Sequence, residues 1–255
     1  MVIGKYFSAI CLLSLVSSAV MAATTADKPT TPTQQSTAKP KSPWSGEAEV
    51  GILMTRGNTH TDTQNIKLGV QYTTGPWQHQ LKLESLHAQD NNVVSADRFS
   101  AAFRSTYQIG EKAYAFGNLK HLNDRFSGFE SRNTEVVGYG RKLYRLPTFT
   151  WDVEVGLGAR QTHYTDDTQA NDGIVRLATE LNWKFTPTSE FKQHINVESG
   201  SANTSTTSSS SLKLKVNSSL AMKLGLNVQN NSTVPPGKKH TDTITSVTLV
   251  YDFTG

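Results

Sequence analysis

From residue 44 to residue 253 the apolar side chains return at every second position, in one short segment after another. A period of two is the strand period: it sets one face of each strand in an apolar environment and the other in a polar one. The apolar faces read Ala48, Val50, Ile52, Met54; Ile66, Leu68, Val70, Tyr72; Trp77, Leu81, Leu83; Phe99, Ala101, Phe103, Tyr107, Ile109; Phe149, Trp151, Val153, Val155, Leu157, Ala159; Val175, Leu177, Leu181, Trp183, Phe185; Phe191, Ile195, Val197; Leu212, Leu214, Val216; Leu220, Met222, Leu224, Leu226, Val228; and Val247, Leu249, Tyr251, Phe253. Two further segments, 113–122 and 133–143, bring the set to twelve. Their facing stays open: either Tyr114 and Phe116 or Ala115 and Leu119 face outward, and Val136, Gly138 and Gly140 oppose Val137, Tyr139 and Arg141.

The opposite faces carry ions: Glu47, Glu49, Lys67, Lys82, Glu84, Arg98, Arg104, Asp152, Glu154, Arg160, Arg176, Glu180, Lys213 and Lys215. A soluble sandwich also alternates, but it must bury every apolar face against another. The aliphatic set is thin for that, in a chain only 36% hydrophobic. Lipid covers the same faces if they point outward, while the ions pair inside. Closure then leaves no unpaired backbone at an edge, which hydrocarbon penalises by several kcal/mol per group, order-of-magnitude. The expectation is an all-β fold, a closed antiparallel transmembrane β-barrel of twelve strands, with those charges facing the lumen. Twelve strands lie between small barrels filled by side chains and wide water-filled porins, so a narrow or plugged lumen is expected.

The connections agree. Those at 73–76, 110–111, 145–148, 186–188 and 218–219 are short, and those at 56–62, 87–94, 124–132, 162–172, 199–209 and 231–240 are longer and polar. This is the layout of an outer-membrane barrel. Tyr72, Trp77, Tyr107, Phe149, Trp151, Trp183, Phe185, Phe191, Tyr251 and Phe253 gather near the short turns, where an aromatic girdle meets the periplasmic headgroups.

Residues 1–22 read as a signal peptide: Lys5, an apolar run from Tyr6 to Val20, and small residues around a cut before Ala23. Residues 23–43 are rich in Thr, Pro, Gln, Lys and Ser and read as a disordered leader; the barrel occupies 44–255. Past the first 22 residues no apolar run is long enough for a spanning helix. The single cysteine, Cys11, excludes a disulfide framework and a cysteine-ligated zinc site. A formal charge of +4 with both signs interspersed gives no basic stripe, so no nucleic-acid partner is expected.

The chain from Trp44 to Phe253 resembles the salt-induced outer-membrane protein family, the YdiY-like proteins, whose domain is of unknown function. The resemblance rests on Arg56-Gly57-Asn58-Thr59, Asp124-Arg125-Phe126-Ser127-Gly128, Gly138-Tyr139-Gly140-Arg141 and His240-Thr241-Asp242, in that order and spacing. It implies a barrel in the outer membrane of a Gram-negative bacterium and an association with salt or osmotic stress, with no catalytic residues to carry over. The partners expected are outer-membrane lipid, lipopolysaccharide and, during insertion, the barrel-assembly machinery, which would read Val247, Leu249, Tyr251 and Phe253.

Candidate chemistry is sparse. His60-Thr61-Asp62-Thr63 recurs as His240-Thr241-Asp242-Thr243. Closure makes the first and last strands neighbours, so His60, Asp62, His240 and Asp242 form a speculative metal set. The plainer explanation is that these residue types suit the approach to a strand. Asp124, Arg125, Glu130 and Arg132 fall in the connection 124–132, which either folds inward onto lumen charges or is solvated. His79 and Ser85 share an outward face six positions apart, roughly 20 Å at strand rise, too far for a hydrogen bond. No Gly-x-Ser-x-Gly elbow is present. No enzyme and no cofactor are expected. The function expected is a structural barrel or narrow passive channel. The alternatives are a surface-binding protein acting through polar loops and, behind it, an outer-membrane lipid-modifying enzyme.

Overall fold

The computed structural model describes residues 42–56, 62–90, 93–124, 129–234 and 236–254. The signal peptide and nearly all of the leader assigned above lie outside them. Twelve strands follow one another: β1 (Trp44–Arg56), β2 (Asp62–Thr74), β3 (Trp77–Asp90), β4 (Val93–Ile109), β5 (Ala113–Asp124), β6 (Phe129–Arg145), β7 (Phe149–Tyr164), β8 (Gln169–Thr186), β9 (Ser189–Gly200), β10 (Thr204–Lys215), β11 (Leu220–Asn231) and β12 (Thr241–Thr254). Each pairs antiparallel with the next, and β12 closes on β1 from Ser45↔Thr254 to Arg56↔Thr243.

Burial is inverted relative to a soluble domain. Val137, Leu157 and Leu177 are 68%, 64% and 54% exposed, whereas Arg160 and Glu49 are 1% and 3% exposed. Nothing among the described residues covers the apolar face, which suits contact with lipid. Polar groups on the outer surface pair locally: Gln193 Nε2 donates to Ser208 Oγ at 3.0 Å, Ser210 Oγ donates to Gln193, and Trp151 Nε1 donates to Thr179 Oγ1 at 2.7 Å.

The pairing also shows the strand tilt. One row of directly paired residues runs Trp77, Tyr107, Ala115, Tyr139, Val155, Leu177, Val197, Thr206, Asn230. It begins among the aromatics of the short-turn end, crosses the apolar band and finishes among polar residues at the other rim. A row perpendicular to the strands climbs in this way only if the strands are inclined to the barrel axis.

The short turns lie where the sequence places them. Gly75 and Gly110 have φ of 54° and 64°, the left-handed backbone that glycine tolerates without a steric cost. At the opposite end the structure corrects the sequence reading. Connection 199–209 reduces to 201–203, because β9 runs to Gly200 and β10 starts at Thr204. Connection 162–172 reduces to 165–168, and 124–132 to 125–128. The walls extend past the lipid: the outward row His121, Asn133, Gln161, Asn171 is polar yet fully paired. Once the outer face leaves hydrocarbon the apolar alternation stops, although the hydrogen-bonded ladder does not.

The open facing of the two ambiguous strands is resolved. Tyr114, Phe116 and Val136 are buried in the lumen, and Leu119, Val137 and Tyr139 are exposed to lipid.

Candidate functional site

The candidate site is the lumen. One wall is filled. Tyr114 and Phe116 on β5, Val136 on β6 and Ile174 on β8 form a buried cluster. Facing them are glycines. A Cβ at Gly140 would fall on the Tyr114 ring, and one at Gly138 would sit 2.6 Å from the Phe116 ring. The Gly138-Tyr139-Gly140-Arg141 motif thus leaves inward room for two rings while Tyr139 faces lipid.

Above these rings Glu154 is an ionic hub. Arg104 Nη2 reaches Oε1 at 2.6 Å, Arg176 Nη1 reaches Oε2 at 2.6 Å, and the Tyr114 hydroxyl donates to Oε1 at 2.8 Å. Both guanidinium groups also lie over the Phe116 ring, at 4.3 and 5.4 Å from its centroid. Charge-assisted bonds of this length are the strong ones.

Nearer the polar rim, Arg160 donates to Asp172 at 2.9 Å and to the Asn203 carbonyl at 2.5 Å. Arg132 donates Nε to Thr162 Oγ1 at 3.2 Å and stacks 3.6 Å over Phe129. Arg98 meets the fully buried Asp124 at 3.6 Å. Asp124 and Arg132 are therefore lumen residues on strands, not loop residues. Among the described residues, Arg132 Nη2 and Arg160 Nη1 are buried with no hydrogen-bond partner. A buried donor left unmade costs about 1–3 kcal/mol, more when charged.

The opposite wall is more open, with Lys67, Glu84 and Glu47 partly exposed. Lys223 pairs with Glu49, which Thr248 also approaches at 3.4 Å. Lys213 bridges Asp252 at 2.5 Å and Glu47 at 3.5 Å, and Lys67 stands 3.9 Å from Glu84. Asp152 pairs with Arg145 at 2.9 Å. Glu180 and Lys215 are exposed on the inner face. Lys82 and Lys192 are exposed too, and among the described residues neither forms an ion pair. They come from β3 and β9, opposite each other in a ring of twelve, and the field of both reaches Glu47.

The aromatics at the short-turn end pack in pairs: Trp44 with Tyr72 at 4.6 Å, Trp77 with Tyr107 at 4.8 Å, Tyr144 with Trp151 at 5.9 Å, and Trp183 with Phe185 at 5.6 Å between centroids. Tyr251 is half exposed there; Phe191 and Phe253 lie on the same outer face by pairing with Trp183 and Gly46 respectively or by alternation with Tyr251. Tyr144 is absent from the sequence reading because a register shift between Lys142 and Tyr144 puts it out of phase.

The speculative metal set is not assembled by the described residues. His60 lies outside them, and of Asp62 only the backbone pairing with Met54 is described. His240 Nδ1 approaches the Asn231 carbonyl at 2.7 Å, and Asp242 is buried opposite Gln229. The motif residues Gly57, Asn58, Thr59, Arg125 and Gly128 also fall outside. A different group, Glu130, His163 and Asp167, brings its ligand atoms within 4.8 Å of one another on the outer rim.

Lys192, Glu198 and Lys223 lie on the polar faces that alternation gives β9 and β11; Lys120, Asp124, Arg132 and Asp172 join the lumen beyond the residues predicted. The signal that finds them is the alternation itself, carried through strands whose outer face has ceased to be apolar.

Comparison with known proteins matches this geometry. The NanC porin shares the fold at a TM-score of 0.58 and 7% identity, over 81% of this chain and 100% of that one. The KdgM porin does so at 0.51 and 11%, over 81% and 99%. The uncharacterized protein YdiY of Escherichia coli (strain K12) is 28% identical over 220 residues, 84% of this chain and 85% of that protein. Residues 48–253 match the model of a family described as a protein of unknown function, DUF481. The chain is a twelve-stranded outer-membrane-type β-barrel and belongs to the DUF481 family.

Proposed function

We propose that this protein is a narrow passive channel for small polar solutes in the outer membrane of a Gram-negative bacterium. The observation that carries the reading is the pair Lys82 and Lys192. Two exposed ammonium groups on opposite walls of a closed barrel require water between them. The filled wall around Tyr114, Phe116 and Glu154 narrows that water column without closing it. The porin-like fold supports a conducting role, and the family resemblance supplies a setting in salt or osmotic stress.

Planar-bilayer recording tests this. Protein whose gel mobility changes on boiling, and which is therefore folded, is expected to give small, discrete conductance steps. Folded protein without steps contradicts the channel. The stress setting is tested separately by survival of a deletion strain after osmotic upshift. Recognition of the last strand by the assembly machinery is tested by Phe253→Ser, which is expected to reduce the amount of folded barrel in the membrane.

A further inference from the structure

The inner face places three cations around one small side chain. Thr134 on β6 is paired with Lys120 on β5 and with Arg160 on β7, and Arg132 precedes it by two residues on the same face. Arg132 and Arg160 are diagonal neighbours, because Arg132 pairs with Thr162 and Arg160 with Thr134. Backbones so related lie about 7–8 Å apart, within reach of long side chains.

Both arginines are almost fully buried, at 5% and 1% exposure, and among the described residues Nη2 of Arg132 and Nη1 of Arg160 have no hydrogen-bond partner. They are close enough that the charge of Arg160 acts on Arg132. Arg160 is paired with Asp172, which also accepts from the Ala202 backbone N–H at 3.2 Å; Asp124 pairs with Arg98, and its charge also acts on Arg132. Lys120 has no ion pair among the described residues; Glu198 and Glu84 act on it from other walls, opposed by Arg98 and Arg132. Glu198 also acts on Arg132 and accepts from Asn196 at 3.0 Å.

Like charges are gathered in a low-dielectric wall, with donors left over. This arrangement is stable when an anion completes it, and guanidinium forks match the planar edge of a carboxylate or the faces of a phosphate. We propose that Lys120, Arg132 and Arg160 form a binding site for an oxyanion, the phosphate or carboxylate group of a small solute, in the outer half of the lumen. The site goes beyond the channel reading, since the ion would be held whether or not the lumen conducts.

Calorimetric titration of the full chain, folded in non-ionic detergent, tests it with inorganic phosphate and, separately, acetate. Saturable one-to-one binding of either ion is expected. Affinity is expected to fall at least tenfold in Arg132→Met and in Lys120→Met, and to stay unchanged in Lys215→Met at the far end. If Arg132→Met does not fold, Lys120→Met carries the comparison. Glu198→Gln, which removes the competing carboxylate, is expected to tighten binding. No saturable binding of either ion, or equal affinity in wild type and Lys120→Met, overturns the proposal; so does weaker binding in folded Glu198→Gln.

Discussion

Tyr114 occupies the space that a side chain at Gly140 would need: a Cβ on residue 140 would clash with the tyrosine ring. The two residues face each other across β5 and β6, and the glycine is a cutout for the ring. Gly140→Ala is therefore expected to destabilise the barrel by about 1–3 kcal/mol, the usual cost of overpacking. In a Tyr114→Ala background the same substitution is expected to cost much less. Urea unfolding in detergent, followed by tryptophan fluorescence, measures both; equal costs in the two backgrounds would show that the ring is not what the glycine accommodates.

This pair also explains what the sequence leaves undecided. Where the outward face meets lipid, as at Val153, Val155 and Leu157, alternation fixes the facing by itself. At 113–122 it does not, because the inner face is as apolar as the outer: Tyr114 and Phe116 fill the lumen while Ala115 and Leu119 face lipid. Only the partner strand's Gly138 and Gly140 break the tie, and pairing information is not in one strand's pattern. The rim is misread for the converse reason. Thr204 to Ser210 are polar on both faces, so a paired wall looks like a loop. Charges near that end, Asp124 and Arg132 among them, are then placed in a loop, folded inward or solvated, when they belong to the walls of the lumen.

The corrected rim makes a prediction of its own. Backbone amides of 204–210 are paired with β9 and β11. In hydrogen exchange they are expected to be protected to the same degree as those of Leu212 and Leu214. Exchange as fast as in the connection 201–203 would restore the loop.

Glu154 holds two guanidinium groups and one phenol. Removing its charge strands both cations in a buried wall, and breaking such a pair typically costs about 3–5 kcal/mol. Glu154→Gln is expected to destabilise the barrel on that scale. Arg104→Met is expected to cost less, because Arg176 and Tyr114 still satisfy the carboxylate. Urea midpoints of the two variants decide the order, and a milder Glu154→Gln would contradict the hub.

Asp166, in the turn between β7 and β8, accepts from the Thr168 hydroxyl at 2.5 Å and from the Thr168 backbone N–H at 3.1 Å. These bonds hold its carboxyl below the ordinary carboxylate range, the side-chain bond first. A lowered folded-state value means that the turn is stabilised above the unfolded carboxyl's pKa, about 3.9. That stabilisation is lost as pH falls through the lower folded value. Carboxyl-resolved NMR titration is expected to show Asp166 titrating below the unfolded value, and Thr168→Val is expected to bring it back up; no change in Thr168→Val would remove the side-chain bond as the cause.

One face of the closed sheet meets lipid and the other meets water. Single cysteines test it most directly, introduced one at a time in a Cys11→Ser background and labelled in liposomes with a membrane-impermeant thiol reagent. Lys192→Cys, on the inner face, is expected to react readily, and Val155→Cys, on the outer face in mid-band, is expected to stay unlabelled until detergent is added. Rapid labelling of Val155→Cys together with protection of Lys192→Cys would turn the barrel inside out and contradict the account.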